Sequence, residues 1–196
     1  DGIYVSTGSR LGGCRDVLID NVTCDDHHRQ GISIISAENL LVRNSRFRNT
    51  CGTPPQCGVD IEPNTNRDHV INNVFENCEF SGNAAAGILL HLAALNADSK
   101  PVSITFRNCR SFGNASDGIA LYMSSTASAK GSVLIENCEV RSNQGGALVI
   151  SNQQDAGMQL AIRNTVLDNR NGRQSAVSLN NSGIQRDIGG IRFENV

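Results

Sequence analysis

Two carboxylates stand two residues apart in the run GVDIE, at Asp60 and Glu62. On an extended segment alternate side chains share a face, which sets the two residues about 6.5 Å from each other. Paired carboxyls suit hydrolysis of a glycosidic bond, with one acid holding its proton and its partner ionised. Separations of roughly 5 Å and 6.5–9.5 Å mark the retaining and inverting mechanisms, and side-chain rotation lets this spacing serve either. In a shielded cleft their mutual repulsion would raise one of the two pKa values, as such an acid requires. His91 in GILLH and Tyr122 in GIALY hold the place that Glu62 holds in GVDIE. A base, an acid and a cation are what removal of the C5 proton of a uronic acid demands, and His91 and Tyr122 are candidates for the first two roles. The plainer readings are a soluble acidic strand, a surface histidine paired with Glu62 and a tyrosine covering its neighbours.

What would align these residues is a repeat. The runs GIYVS, GISII, GVDIE, GILLH, GIALY, ALVIS and AVSLN place Gly2, Gly31, Gly58, Gly87, Gly118, Ala147 and Ala176 in one column, with spacings of 27–31 residues. A second block follows each one and contains Asn21, Asn44, Asn77, Asn108, Asn137, Asn164 and Asn195 at a matched place. Apolar residues alternate with others in short β-branched runs, and no helical period appears. The expected fold is all-β, a single-stranded right-handed parallel β-helix of about seven coils, forming one domain over residues 1–196. Leucine-rich repeats are shorter, and propeller blades are longer and carry aromatic signatures. Ile3, Ile32, Val59, Ile88, Ile119, Leu148 and Val177 should point inward, together with Val5, Ile34, Ile61, Leu90, Leu121, Ile150 and Leu179. The Asn column should mark a turn, since Asn tolerates the left-handed conformation and its amide can bond to the Asn one coil away. Successive coils stack about 4.8 Å apart, which lines up Glu62, His91 and Tyr122. The repeat runs to both ends, so the chain reads as part of a longer solenoid.

Further candidates sit around that line. Asp25, Asp26, His27 and His28 precede Arg29 and Gln30 in the turn before the second coil, and Arg29 is the nearest cation in sequence for a substrate carboxylate, ahead of Lys130 and Arg67. Ser33 and Asn180 lie in the two outward columns that contain Asp60 and Glu62. Arg29, Gln30, Ser33 and Asn180 are therefore expected to bind substrate. Four adjacent residues cannot all face one ion, so the Asp-Asp-His-His run predicts a solvated loop and no metal site. No cofactor is expected.

The 196 residues include 17 Lys and Arg against 19 Asp and Glu, a net charge of −2. That balance lacks the basic field a nucleic-acid partner requires. No apolar run reaches 18 residues, which argues against a membrane partner. Of the seven cysteines, Cys51 and Cys57 bracket the loop CGTPPQC, which a disulfide could close. Cys78, Cys109 and Cys138 share one repeat position, as small buried residues would. Tryptophan is absent and Tyr4 and Tyr122 are the only tyrosines, which is few for a sugar site. The outward columns do not repeat from coil to coil as a purely structural ladder would, and their ionisable residues gather on coils three to five.

In repeat architecture the whole chain resembles the pectin-lyase-like superfamily of right-handed β-helices. The polygalacturonase hallmarks are missing. GVDIE also resembles the strand motif G-F-D-P-H of mannuronan C5-epimerases, matching its Asp at Asp60. Glu62 stands where that family has His, and His91 where it has the Asp of the next coil. The resemblance implies a polysaccharide or oligosaccharide partner and a secreted or cell-surface protein, a setting that a Cys51–Cys57 disulfide would fit. A glycoside hydrolase is the expected activity, because the carboxylate pair is present while a cation on the strand columns is not. A polysaccharide lyase or uronate C5-epimerase is the alternative, and a non-catalytic adhesin or fibre segment the other. Oligomeric state is left open.

Overall fold

The computed structural model describes residues 1–6, 13–124, 129–170, 172–181 and 187–196. The strands gather into three sheets whose neighbours pair in parallel. The first sheet contains Ile3–Val5, Ile32–Ile34, Val59–Ile61, Ile88–His91, Ile119–Tyr122, Leu148–Ser151 and Val177–Asn180. The second contains Cys14–Asp20, Ala37–Arg43, Val70–Glu76, Val102–Arg107, Gly131–Glu136, Gln159–Arg163 and Ile191–Glu194. The third has Thr23–Asp25, Arg46–Arg48, Glu79–Ser81, Arg110–Phe112, Glu139–Arg141 and Val166–Asp168. This is a parallel β-helix, with six coils of three strands and a seventh of two among the described residues. The register follows the repeat, pairing Ile3 with Ile32, Ile32 with Val59, and Val59 with Ile88. One reason for the glycine column is close approach between coils. A Cβ on Gly31 would stand 2.5 Å from the Gly58 carbonyl oxygen, and one on Gly58 would stand 2.7 Å from that of Gly87.

The second and third sheets meet at a two-residue corner whose first residue is the repeated Asn. All seven of these residues are left-handed, with φ between 46° and 55°, a conformation that Asn adopts more readily than most side chains. Their amides bond along the stack where Asn77 donates to Asn44 at 3.3 Å and Asn195 to Asn164 at 3.1 Å. The second corner residue is Ser45, Cys78, Cys109, Cys138 or Thr165 in successive coils, and each of these is buried. Several accept a backbone N–H from the preceding coil: Val22 donates to Ser45 Oγ at 3.1 Å, and Cys138 to Thr165 Oγ1 at 3.2 Å. The shared cysteine position is thus a place for small side chains that can accept such a bond.

Inside, Phe47 stacks on Phe80 and Phe75 on Phe106, with ring centroids 5.7 and 4.7 Å apart. A buried ladder of Thr50, Asn83, Asn114 and Asn143 runs beside them at the return to the first sheet. Asn83 Nδ2 donates to Asn114 Oδ1 and Asn114 Nδ2 to Asn143 Oδ1, each at 2.9 Å. The same oxygens accept backbone N–H groups of the preceding coil.

Candidate functional site

The first sheet has an unusual outer face. In the strands Ile32–Ile34 and Val59–Ile61 all three residues are buried, although the middle one points away from the solenoid core. The turns entering these strands provide the cover. Cys57, Ala86 and Ala120 form a small apolar cluster there, and Ala85, Leu89 and Tyr122 pack against it. The segment from Cys51 to Cys57 is tied to the preceding coil, where Thr53 N donates to the His28 carbonyl at 2.8 Å and Thr53 Oγ1 lies 2.9 Å from His28 Nε2. Pro54 and Pro55 are thereby held above the sheet.

This cover divides the two carboxylates of GVDIE. Asp60 is 1 % exposed, and its Oδ2 accepts a 2.8 Å bond from Gln30 Nε2. Gln30 is itself buried and its Oε1 accepts the Cys57 N–H at 2.9 Å. The Asp60 Oδ1 and the Ser33 Oγ, on paired residues of adjacent strands, are buried without a hydrogen-bond partner. Burial, with the Glu62 carboxylate adding to it, pushes Asp60 up to about 7 against the smaller pull of Arg29. Burial likewise pushes the Cys57 thiol up to about 12. Asp60, Gln30 and Ser33 therefore lie beneath the surface, and the expectation of an outward-facing catalytic pair and of Gln30 and Ser33 as substrate contacts does not match their placement. The reason is the overlying turn, whose fold a strand pattern does not encode.

Glu62, His91 and Tyr122 remain in the open. They line a groove of about 580 Å³ together with Arg29, Pro54, Pro55, Leu89, Ala93, Met123 and Asn152. His91 Nδ1 lies 3.1 Å from Glu62 Oε1. A carboxylate only accepts, so Nδ1 carries the proton in this pair and a neutral ring turns its lone pair to Nε2. The Tyr122 ring meets the imidazole edge-on at 6.3 Å between centroids. Burial, with Asp117 and Cys57 adding, holds the Tyr122 phenol above its usual range, so it keeps its proton at neutral pH. Arg29 reaches the same groove from the turn, and its guanidinium lies 3.5 Å from the Asp1 carboxylate. Asn180 is exposed but stands two coils past Tyr122, outside the groove lining.

The other sequence candidates have structural tasks. Cys51 and Cys57 are both free thiols, which corrects the expectation of a disulfide between them. Their sulfurs turn to different partners, the Asp26 carboxylate for Cys51 and the Pro55 carbonyl for Cys57. Asp25 takes Arg48 and Asn49 of the next coil. Among the described residues no three His, Cys, Asp or Glu side chains are placed to hold a metal ion. The groove walls at Pro54, Pro55, Met123 and Asn152 were not among the sequence candidates. The Pro-Pro pair between two strands was the available signal for a rigid wall.

The model of the right-handed β-helix region matches residues 1–193. No curated protein matches the chain. A solved structure of the Streptococcus pneumoniae surface protein and adhesin PfbA is similar at 11% identity and a TM-score of 0.35, over 92% of this chain and 67% of that one. With nearly its whole length covered by that family model, the chain belongs to the right-handed β-helix family.

Proposed function

We propose that this protein takes an acidic polysaccharide into the groove over its third to fifth coils and acts on a uronic acid there by proton transfer at C5. The carrying observation is the 3.1 Å contact between His91 and Glu62 with Tyr122 beside it. Glu62 orients the ring, so His91 Nε2 is free to remove the C5 proton. In β-elimination the released electrons form the C4–C5 double bond as the C4–O glycosidic bond breaks, and the Tyr122 hydroxyl protonates the departing oxygen. Arg29 would neutralise the substrate carboxylate, which lowers the cost of charge developing beside it. Burial of Asp60 argues for this chemistry over hydrolysis, because a hydrolase needs both carboxyls at the substrate. A secreted or cell-surface location goes with such a substrate.

A non-catalytic carbohydrate-binding surface is the second reading, favoured by the commitment of Arg29 to Asp1. Turnover separates the two. Incubated with polygalacturonate and with alginate, the protein should generate unsaturated uronate absorbance together with new reducing ends, and His91→Ala should remove at least about a hundredfold of that rate. Reducing ends without absorbance would replace this mechanism with hydrolysis. Binding without either product and without inversion at C5 would leave the non-catalytic reading.

A further inference from the structure

We infer that a second site, formed by Arg67, His69 and Lys100 at the loops leaving the first sheet, binds an anionic group of a glycan, either a carboxylate or a sulfate ester. The loops follow directly on the strands that end near Glu62 and His91, so this site lies on two of the three coils that the groove crosses. It is a depression of about 290 Å³ lined by Asn66, Arg67, His69, Asp98 and Lys100.

Its charge is cationic by one, because Arg15, Lys100 and Arg67 face two carboxylates, Glu38 and Asp98. Glu38, whose side chain is 13% exposed, meets Arg15 at 2.9 Å, Lys100 at 3.1 Å and His69 Nδ1 at 2.6 Å. Arg15 and Lys100 alone exceed its single charge. The His69 contact is off-axis, leaving Nδ1 buried without a hydrogen bond. Arg67 forms no ion pair among the described residues, and its guanidinium adds to the excess. Asp68 lies outside the lining, its Oδ2 turned to Asn64 N, Thr65 N and Thr65 Oγ1. Asp98 is the carboxylate within the lining, and it limits the excess to what one anionic group would balance.

The site is also fixed in shape. Ser99 is buried, and its hydroxyl donates to the Asn66 carbonyl at 2.9 Å while accepting the Asn96 N–H at 3.0 Å. Those bonds join the two loops across coils, with Leu95 buried beneath them. Loops held this way do not have to be ordered by the ligand, which favours binding. Guanidinium and ammonium groups beside a histidine in such a place suit oxyanions, by charge-assisted hydrogen bonds. The inference rests on the proposed function only for the glycan that carries the anion.

Calorimetric titration of the whole chain with polygalacturonate, dextran sulfate and neutral dextran at one ionic strength tests it. Either anionic polymer should bind and neutral dextran should not. The double variant Arg67→Gln, Lys100→Gln should bind the anionic polymers at least about tenfold more weakly, the scale of one charged hydrogen bond. Arg67→Gln alone removes no ion pair, and should weaken binding severalfold with an unchanged melting temperature. Undiminished affinity in both variants overturns the inference, as does equal binding of neutral dextran or of a single-stranded DNA of matched charge. His91→Ala should retain this binding. Loss of turnover with binding intact therefore speaks to the groove, and loss of binding in the Arg67 variants speaks to this site.

Discussion

The corner between the second and third sheets and the groove on the first sheet are built on opposite rules. At the corner one residue type recurs in every coil, its left-handed turn serving the same purpose seven times and its amide bonding along the stack from Asn77 to Asn44 and from Asn195 to Asn164. Along the groove Glu62, His91 and Tyr122 occupy equivalent places with different chemistry in each. Repetition there would have stacked like charges about 4.8 Å apart. Carboxylates so placed repel, whereas amides bond. A solenoid thus keeps its fold in columns that repeat, and whatever site it has must come from columns that do not.

The sharpest way to break this comparison is to break the repeat where it is buried. Asn114 Oδ1 accepts both the backbone and the side chain of Asn83, and its Nδ2 reaches Asn143 and the Phe80 carbonyl. Asn114→Ala would orphan several buried polar groups at about 1–3 kcal/mol each, for a total loss of about 5 kcal/mol. The exposed Asn108 at the corner loses only its favourable left-handed conformation on substitution by Ala, at about 1 kcal/mol. Denaturant unfolding of the two variants measures the gap. Similar losses would mean that the buried ladder contributes no more than the corner does.

The next effect belongs to the groove side, at Asp60. In the unfolded chain this carboxyl loses its proton at about pH 3.9, whereas in the fold it keeps it up to about 7. Between these values the folded state binds more protons, so stability falls as pH rises through the window. Ionising the buried carboxyl across that window costs as much as about 4 kcal/mol. Asn cannot ionise and can still accept the Gln30 amide, so Asp60→Asn should match the parent near pH 4 and exceed it above pH 7. Unfolding free energies of both proteins across that range give the difference directly. A difference that does not change with pH would mean that Asp60 ionises normally.

These two residues also show what the sequence makes legible. The periods of Gly and Asn define coils, register and the inward columns, because each requirement is local and recurs in each coil. The alignment of Glu62, His91 and Tyr122 follows from register alone. Asp60 was legible as a neighbour of Glu62 but not as a buried one, since its cover comes from Gln30 and Cys57, residues outside the strand. The ladder of Asn83, Asn114 and Asn143 lies at a constant six residues past the corner Asn, but it escaped because a turn between strands has no alternation to mark which of its polar residues is buried. The Arg67 and Lys100 depression escaped for a similar reason, its loops being the least regular part of coils three and four.

The smallest effect compares the two cysteines that bracket the groove wall. Cys51 is exposed, while Cys57 is 1% exposed and its thiol is held up to about 12 by burial. The thiolate is the reacting form, so burial and the raised pKa both protect Cys57. Brief treatment of the native protein with iodoacetamide should alkylate Cys51 well before Cys57, Cys78, Cys109 or Cys138, all of them buried. Peptide mass mapping identifies the site without perturbing the fold. Early modification of Cys57 would mean that the Pro54–Pro55 wall opens readily, and Asp60 would then be reachable from the groove. A mass lower by two hydrogens than that of the free thiols would instead restore a Cys51–Cys57 bridge and a wall locked in place.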